Sequence, residues 1–390
     1  MKIRLLHFAH IAMVVIPTAM PLFTAAQLGN RTVTTGASFL LLSPDARTSG
    51  VAEASTGLLP DVNSVFTNAA KLSFAGDKGV SFSYTPWMRQ LVKDEHLGYL
   101  AAFHRVSWRE VLGLSFKYLD LGEISFRDEV GNLSQRYNAG EVSIDASYSR
   151  LLGDHFAMAL SARFIHSNLG SGTFNGLDMD RANAFAVDIG VYSEKSYINS
   201  NQFSKRFAWG INLSNIGTKL NYTNAKESFL PMNLRLGAGY GLNNDPDNRL
   251  TLLLDVTKLL VPSRPRYRID EQGKLTGEIE KGRDPDRSVP SALITSFFDA
   301  PGGFSEELSE IVVSGGFEFC YYRQFFIRSG YFYEHPEKGN RQHFAAGVGF
   351  RVRSLQIDVG YLAPIGGRYT VRNELKFTLS IHPSQLMDKP

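Results

Sequence analysis

At 390 residues the chain has room for two or three soluble domains or for one large barrel. The formal charge is +3, and setting aside Lys2 and Arg4 with the first 26 residues leaves 39 basic against 38 acidic groups, a balance that points away from nucleic acid as a partner. A single cysteine, Cys320, leaves no internal disulfide, and no apolar run of about eighteen residues follows the N-terminus, so no transmembrane helix is expected in the mature chain.

Residues 1–26 read as a secretory signal peptide. Lys2 and Arg4 give a positive start, a mostly apolar stretch follows, and Thr24-Ala25-Ala26 supplies a small-residue cleavage end. Export of this kind implies a bacterial envelope protein. Residues 27–78 are small, polar and Gly-rich, too polar for a lipid-facing strand, and their position suggests a plug inside a barrel, with a surface-exposed periplasmic arm as the alternative. Residues 32–42 read as a short strand or an extended arm. Ser43-Pro44-Asp45 opens a turn, and Asn63 or Ser64 is placed to cap one short helix from about Val65 to Leu72.

Residues 79–390 repeat a period-two pattern separated by turns, and about fourteen strands are expected. Val80, Phe82 and Tyr84 alternate with Ser81 and Ser83; Phe156, Met158, Leu160 and Phe164 face away from Ser161 and Arg163; Met232, Leu234, Leu236 and Tyr240 oppose Asn233 and Arg235. Residues 96–106 are less regular, with Tyr99, Ala101 and Phe103 on one face. Alternation suits a soluble sandwich as well as a membrane barrel. Connection length separates them, because short turns such as Ser107-Trp108 and Arg353-Ser354 alternate with long loops at 122–136, 167–181, 217–231 and 261–306. One longer connection, 194–205, breaks the rule. Trp87, Tyr118, Tyr148, Trp209, Tyr240, Tyr321 and Tyr361 near strand ends suit aromatic girdles. The expected fold is all-β: a transmembrane antiparallel β-barrel of about 14 strands with a small N-terminal plug.

No pattern carries catalysis. The nine histidines form no metal motif, and the loop carboxylate pairs Asp178/Asp180 and Asp284/Asp286 read as solvated charge. No catalytic residue, metal or cofactor is therefore expected. The loop 261–306 starts basic and Pro-broken and ends in ITSFFDAPGGF. A loop of this length is uncommon without a role. Ile294, Phe297, Phe298 and Phe304 are an apolar set that either folds into the barrel mouth or meets a partner protein.

The stretch SPDARTSGVAEASTG, followed by Asp61 and Asn68-Ala69-Ala70-Lys71, resembles the PorV family, the outer-membrane components of the type IX secretion system of Bacteroidota, which are related to FadL-type transporters. Asp45, Arg47, Gly50, Gly57, Asp61 and Asn68 carry the plug motif. FadL-type plugs have Pro where this chain has Ala69, a departure towards PorV. The resemblance implies a FadL-like barrel in the outer membrane, in contact with its lipids, and a carrier role without catalysis. Implied partners are cargo proteins with C-terminal signal domains, the large translocon barrel, and a cell-surface attachment complex containing a sortase-like protease. Some members are linked to lipopolysaccharide deacylation. The alternatives are a transporter of hydrophobic small molecules, with Leu253, Phe326 and Phe332 on the inward face in its favour, and a lipid A deacylase.

Overall fold

Period-two alternation across segments of eight to twenty-one residues closes into a single antiparallel barrel. The computed structural model describes residues 32–87, 95–127, 133–170, 172–174, 177–198, 204–223, 227–243, 247–270, 275–365 and 373–382. The expected export segment 1–26 lies outside the described residues.

The 14 strands follow chain order around the barrel. They are β1 (Lys78–Pro86), β2 (His96–Arg105), β3 (Glu110–Arg127), β4 (Leu133–Gly153), β5 (Phe156–Asn168), β6 (Ala182–Ile198) and β7 (Ser204–Gly217). Then come β8 (Asn233–Asn243), β9 (Arg249–Leu259), β10 (Ile311–Tyr321), β11 (Phe325–Tyr333), β12 (Gln342–Val352), β13 (Leu355–Pro364) and β14 (Glu374–Ile381). The barrel closes where Val80 of β1 faces Ile381 of β14, and Tyr84 faces Phe377. Closure leaves no barrel edge unpaired, the condition for strands to cross a hydrocarbon layer.

The outer face is apolar and the inner face polar, the reverse of a soluble fold. Phe82, Leu160, Phe185 and Val348 are exposed, while Ser81, Ser83, Ser147 and Ser161 are buried. Tyr84 and Tyr361 sit outward near one end of the barrel, and Tyr148, Trp209, Tyr240 and Tyr321 near the other. These are the two girdles expected of a membrane barrel.

Three residues or faces depart from the expected alternation, each because another element covers them. Tyr99, Ala101 and Phe103 of β2 face inward, where they meet apolar plug residues. Met232, expected to lead the outward face of β8, is buried under the large loop. Trp87, expected in a girdle, turns to the barrel mouth and packs near Leu97 and Phe39.

Connections sort by length. β2–β3, β4–β5, β10–β11 and β12–β13 join by tight turns at one end, the periplasmic end by the general rule for such barrels. The expected long connection at 194–205 shrinks, because β6 runs on to Ile198 and β7 begins at Ser204. At the other end β3 runs to Arg127 and β4 starts at Leu133, so much of the expected loop 122–136 is paired strand rising above the barrel. Small ribbons, Gly172–Phe174 with Leu177–Met179 and Arg266–Ile269 with Leu275–Lys281, occupy two further long loops.

Inside the barrel lies the plug. Residues 38–41 form a 3-10 turn, so the expected arm or strand at 32–42 is not extended throughout. α1 (Ala46–Gly50) and α2 (Ser64–Thr67) follow, then a 3-10 turn at Ala69–Phe74. The single helix expected over Val65–Leu72 is thus two pieces. Asn68 breaks it: its φ is −168°, and its side chain accepts the N–H of Ala70, the bond an N-cap makes.

Candidate functional site

The plug is seated by polar groups that the strands place in the lumen. Asp45 caps α1 by accepting the Thr48 N–H at 2.8 Å, and the Ala46 N–H donates to Thr378 Oγ1 of β14. One turn of helix then aims Arg47 across the lumen. Its guanidinium donates to both carboxylate oxygens of Glu318 on β10, each at 2.9 Å. The remaining nitrogen donates to Asp61 Oδ2 at 2.8 Å and to the Leu59 carbonyl. Glu318 also accepts from Arg328 of β11, which is itself paired with Asp358 of β13 at 2.7 Å. Arg47, Glu318, Arg328 and Asp358 are all buried, so each charge depends on its partners.

Two other sides of the plug are tied by backbone groups. Asp255 of β9 accepts the N–H groups of Ser55 and Thr56, both at 3.0 Å, and the Thr56 hydroxyl. Arg206 of β7 donates to the Gly57 carbonyl at 2.9 Å. Asn68 donates to the carbonyls of Val191 and Ile211 in the wall. Lys376 of β14 and Lys117 of β3 donate to the carbonyls of Ser43 and Leu42. Lys71 Nζ donates to the Ser55 carbonyl at 2.7 Å, and burial pushes this amine down to about 8.

Glycines permit the close approach. A Cβ on Gly57 would stand 2.3 Å from the Cα of Gly239 in β8, and one on Gly50 3.1 Å from the Cα of Gly347 in β12. Backbone therefore lies on backbone at both points. The remaining contact is apolar, with Val62, Val65, Ala69 and Leu72 against Tyr99, Ala101 and Phe103.

All six motif residues thus lie in or beside the plug seat, and Arg47 directly joins Asp61. Glu318, Arg328, Asp358, Arg206 and Asp255 complete it. The available signal for them was charge placed mid-strand on the polar face.

The loop 261–306 is clamped to the long-loop rim. α3 (Val289–Thr295) has Pro in its first turn, where the missing N–H costs nothing. Its Ala292 packs on Met232, Leu260 and Val261. α4 (Phe304–Ser309) lies just before β10. Lys258 Nζ binds Glu307 at 2.9 Å and Glu310 at 2.7 Å; Lys338 Nζ binds Glu306 at 2.7 Å and Glu310 at 2.9 Å. With Glu306, Glu307 and Glu310 turned to the rim, the segment leaves Ile294, Phe298 and Phe304 71%, 74% and 78% exposed. Phe297 is 37% exposed, with its ring centroid 6.4 Å from that of Phe298. These side chains do not fill the barrel mouth.

Two cavities, of about 110 and about 50 Å³, lie at this end between plug and wall. Both are bordered by Glu53, Phe332 and Arg341. Leu253, Phe326 and Phe332 do point inward and are buried. Among the described residues, no cluster of His, Cys, Asp and Glu could hold a metal ion.

Residues 25–266 match the family described as Type IX secretion system protein PorV. The chain belongs to the PorV family. Family membership and the closed 14-strand barrel make it an outer-membrane barrel of the PorV type. No curated protein sequence matches it. Solved structures similar to this PorV-family chain include the toluene transporter TodX of Pseudomonas putida (12% identity, TM-score 0.47, covering 90% of this chain and 99% of that one). The CymD monoaromatic hydrocarbon channel is similar at 10% identity and TM-score 0.47, covering 87% and 96% of the two chains. A FadL homologue of Pseudomonas aeruginosa is similar at 10% identity and TM-score 0.42, covering 90% and 99%. None of these scores reaches one half, so nothing about the activity of this PorV-family chain follows from them.

Proposed function

We propose that the protein is a component of the type IX protein secretion system that works as a carrier, without catalysis. It receives cargo proteins through their C-terminal signal domains as they leave the large translocon barrel. It then delivers them to the cell-surface attachment complex and its sortase-like protease. The observation that carries this reading is the contrast between a lumen closed by the chain itself and an outer loop with large apolar side chains left in water. Exposed apolar surface of this kind marks contact sites, and a closed lumen suits docking better than conduction. The test is a mild-detergent pull-down of the tagged protein from its native envelope, read by mass spectrometry. A very large outer-membrane barrel, or secreted proteins sharing a C-terminal domain, should co-purify with the wild type. They should be lost when residues 296–304 are deleted. Unchanged recovery after the deletion would rule out the loop as the docking site.

A second reading, carriage of small hydrophobic molecules, is favoured by the mouth cavities and the inward Phe326 and Phe332. Recovery of the barrel alone with co-extracted apolar molecules would move the balance to it.

A further inference from the structure

We propose that the long-loop mouth binds a small apolar amine, with the Glu53 carboxylate as acceptor for its ammonium group. The backbone is bent to put Glu53 there. Ala52 and Glu53 have φ of 53° and 67°, two successive non-glycine residues in the left-handed region. Both conformations are strained for a residue that carries a Cβ. The turn is held by the Glu53 N–H donating to Thr48 O at 3.0 Å and the Ser55 N–H donating to Glu53 O at 2.8 Å. Arg235 also reaches the Glu53 carbonyl and Ser55 Oγ.

The side chain so placed borders both cavities, yet its carboxylate makes no hydrogen bond or ion pair with any described residue. The cations around it are engaged elsewhere. Arg341 donates twice to Glu334, at 2.9 Å each. Lys376 is held by Ser43 O at 2.6 Å and by Glu374 at 3.6 Å. Lys338 is shared by Glu306 and Glu310. A second polar atom in the larger cavity is also unmet: His343 Nε2 is buried without a partner. The His343 ring stacks on Phe332 at 4.9 Å and 11°. Leu42, Trp87, Leu362 and Pro364 give the rest of the lining an apolar side, and Gln342, Glu374 and Lys376 give it a polar one.

Glu53 is half-buried and faces both cavities, so its carboxylate is open to a ligand that donates to it, and such a charge-assisted hydrogen bond is stronger than a neutral one. An ammonium group can make the direct contact that Glu53 has with no described residue, and can give a further N–H to His343 Nε2. A carboxylate head would instead meet Glu53 with every nearby Lys already paired. The larger cavity, about 110 Å³, is smaller than the roughly 150 Å³ that accepts a benzene ring, so a body slimmer than a ring is favoured. An unbranched alkyl chain of about six carbons is the class expected.

The inference deepens the small-molecule reading but needs no passage through the barrel. Binding is read by fluorescence and passage by uptake, so either can fail alone. Trp87 borders the larger cavity, whereas Trp108 and Trp209 are exposed on the outside. The full chain in lipid nanodiscs is titrated with n-hexylamine, n-hexanol and hexanoate while tryptophan emission is followed. Hexylamine should give a saturable change that disappears in Trp87→Phe. Glu53→Gln, which keeps size and backbone, should weaken it at least tenfold, and hexanoate should give none. Hexanoate binding as tightly as the amine, an unaltered titration in Glu53→Gln, or the same unsaturable drift with all three would each overturn the proposal.

Discussion

The plug and the outer loop are held by the same chemistry and end in opposite states. Both are pinned by buried ion pairs, Arg47 to Glu318 in one case and Lys258 and Lys338 to Glu310 in the other. The plug is surrounded, so its polar groups, its glycines and its apolar side chains all meet the wall. The loop has a wall on one side only, so satisfying Glu306, Glu307 and Glu310 there turns Ile294, Phe298 and Phe304 outward. A clamp inside a lumen makes a seal, and a similar clamp on a rim makes a platform.

Substitutions at four places sharpen that contrast. The largest effect is expected from Arg47→Ala, which leaves Asp61 without its guanidinium and Glu318 with only part of its compensation. Breaking a buried pair from one side costs about 3–5 kcal/mol. The seal should loosen, seen as new ion conductance in planar bilayers and as faster proteolysis within the plug. Closed bilayers and an unaltered plug digest would show that this pair is dispensable to the seal.

Gly57→Val tests the same seal by shape alone. Its Cβ would fall on the backbone of Gly239, with no flexible side chain to yield. Overpacking of this kind costs about 1–3 kcal/mol or more. Conductance should again appear, while the barrel keeps its heat-resistant migration on gels. Gly57→Ala should be milder only if the wall can shift at β8.

Asp45→Asn should act in the opposite direction. Asp45 is fully buried and its Oδ2 has no partner. Burial first, and the charge of Asp61 second, push its carboxyl up to about 6 from 3.8. A raised carboxyl means that the folded plug prefers the protonated form. Stability is therefore greatest at low pH and is lost as pH rises from the unfolded value towards about 6, with the full penalty above it. Asparagine keeps the N-cap acceptor and removes the charge. The plug should become more resistant to protease at neutral pH, by up to about 3 kcal/mol on a linkage basis. Its pH dependence across this window should flatten, and an unchanged pH profile would remove Asp45 as the source.

The smallest effect on stability, within about 0.5 kcal/mol, is expected from replacing Ile294, Phe298 and Phe304 by Ser together, because they are exposed. Unfolding and conductance should match the wild type, while partner recovery falls. A loss of stability instead would mean that the platform is packed in the membrane-bound protein.

Glu318 and Tyr99 mark where the sequence was readable and where it was not. Alternation places Glu318 on the inward face without any structure, since period two is a local property of a strand. Its partner Arg47 lies 271 residues away, and nothing local couples the two. Tyr99 shows the complementary limit. Its strand looked irregular because an apolar inward face is unusual for a barrel, and that face makes sense only once the plug's Val65 and Leu72 are seen against it.

By itself, then, the sequence determined the barrel, its strand count, the sorting of turns from long loops and the existence of a plug. Each follows from local pattern, from the pleat that sends neighbours to opposite faces and from the small residues that tight turns need. Only the tertiary structure decided how Asp45, Arg47, Asp61 and Asn68 engage the wall, that Trp87 leaves the girdle for the mouth, and that Glu53 stands without a partner between two cavities. Those outcomes depend on which strands come face to face across the lumen, and closure of the ring at β1 and β14 sets that distance.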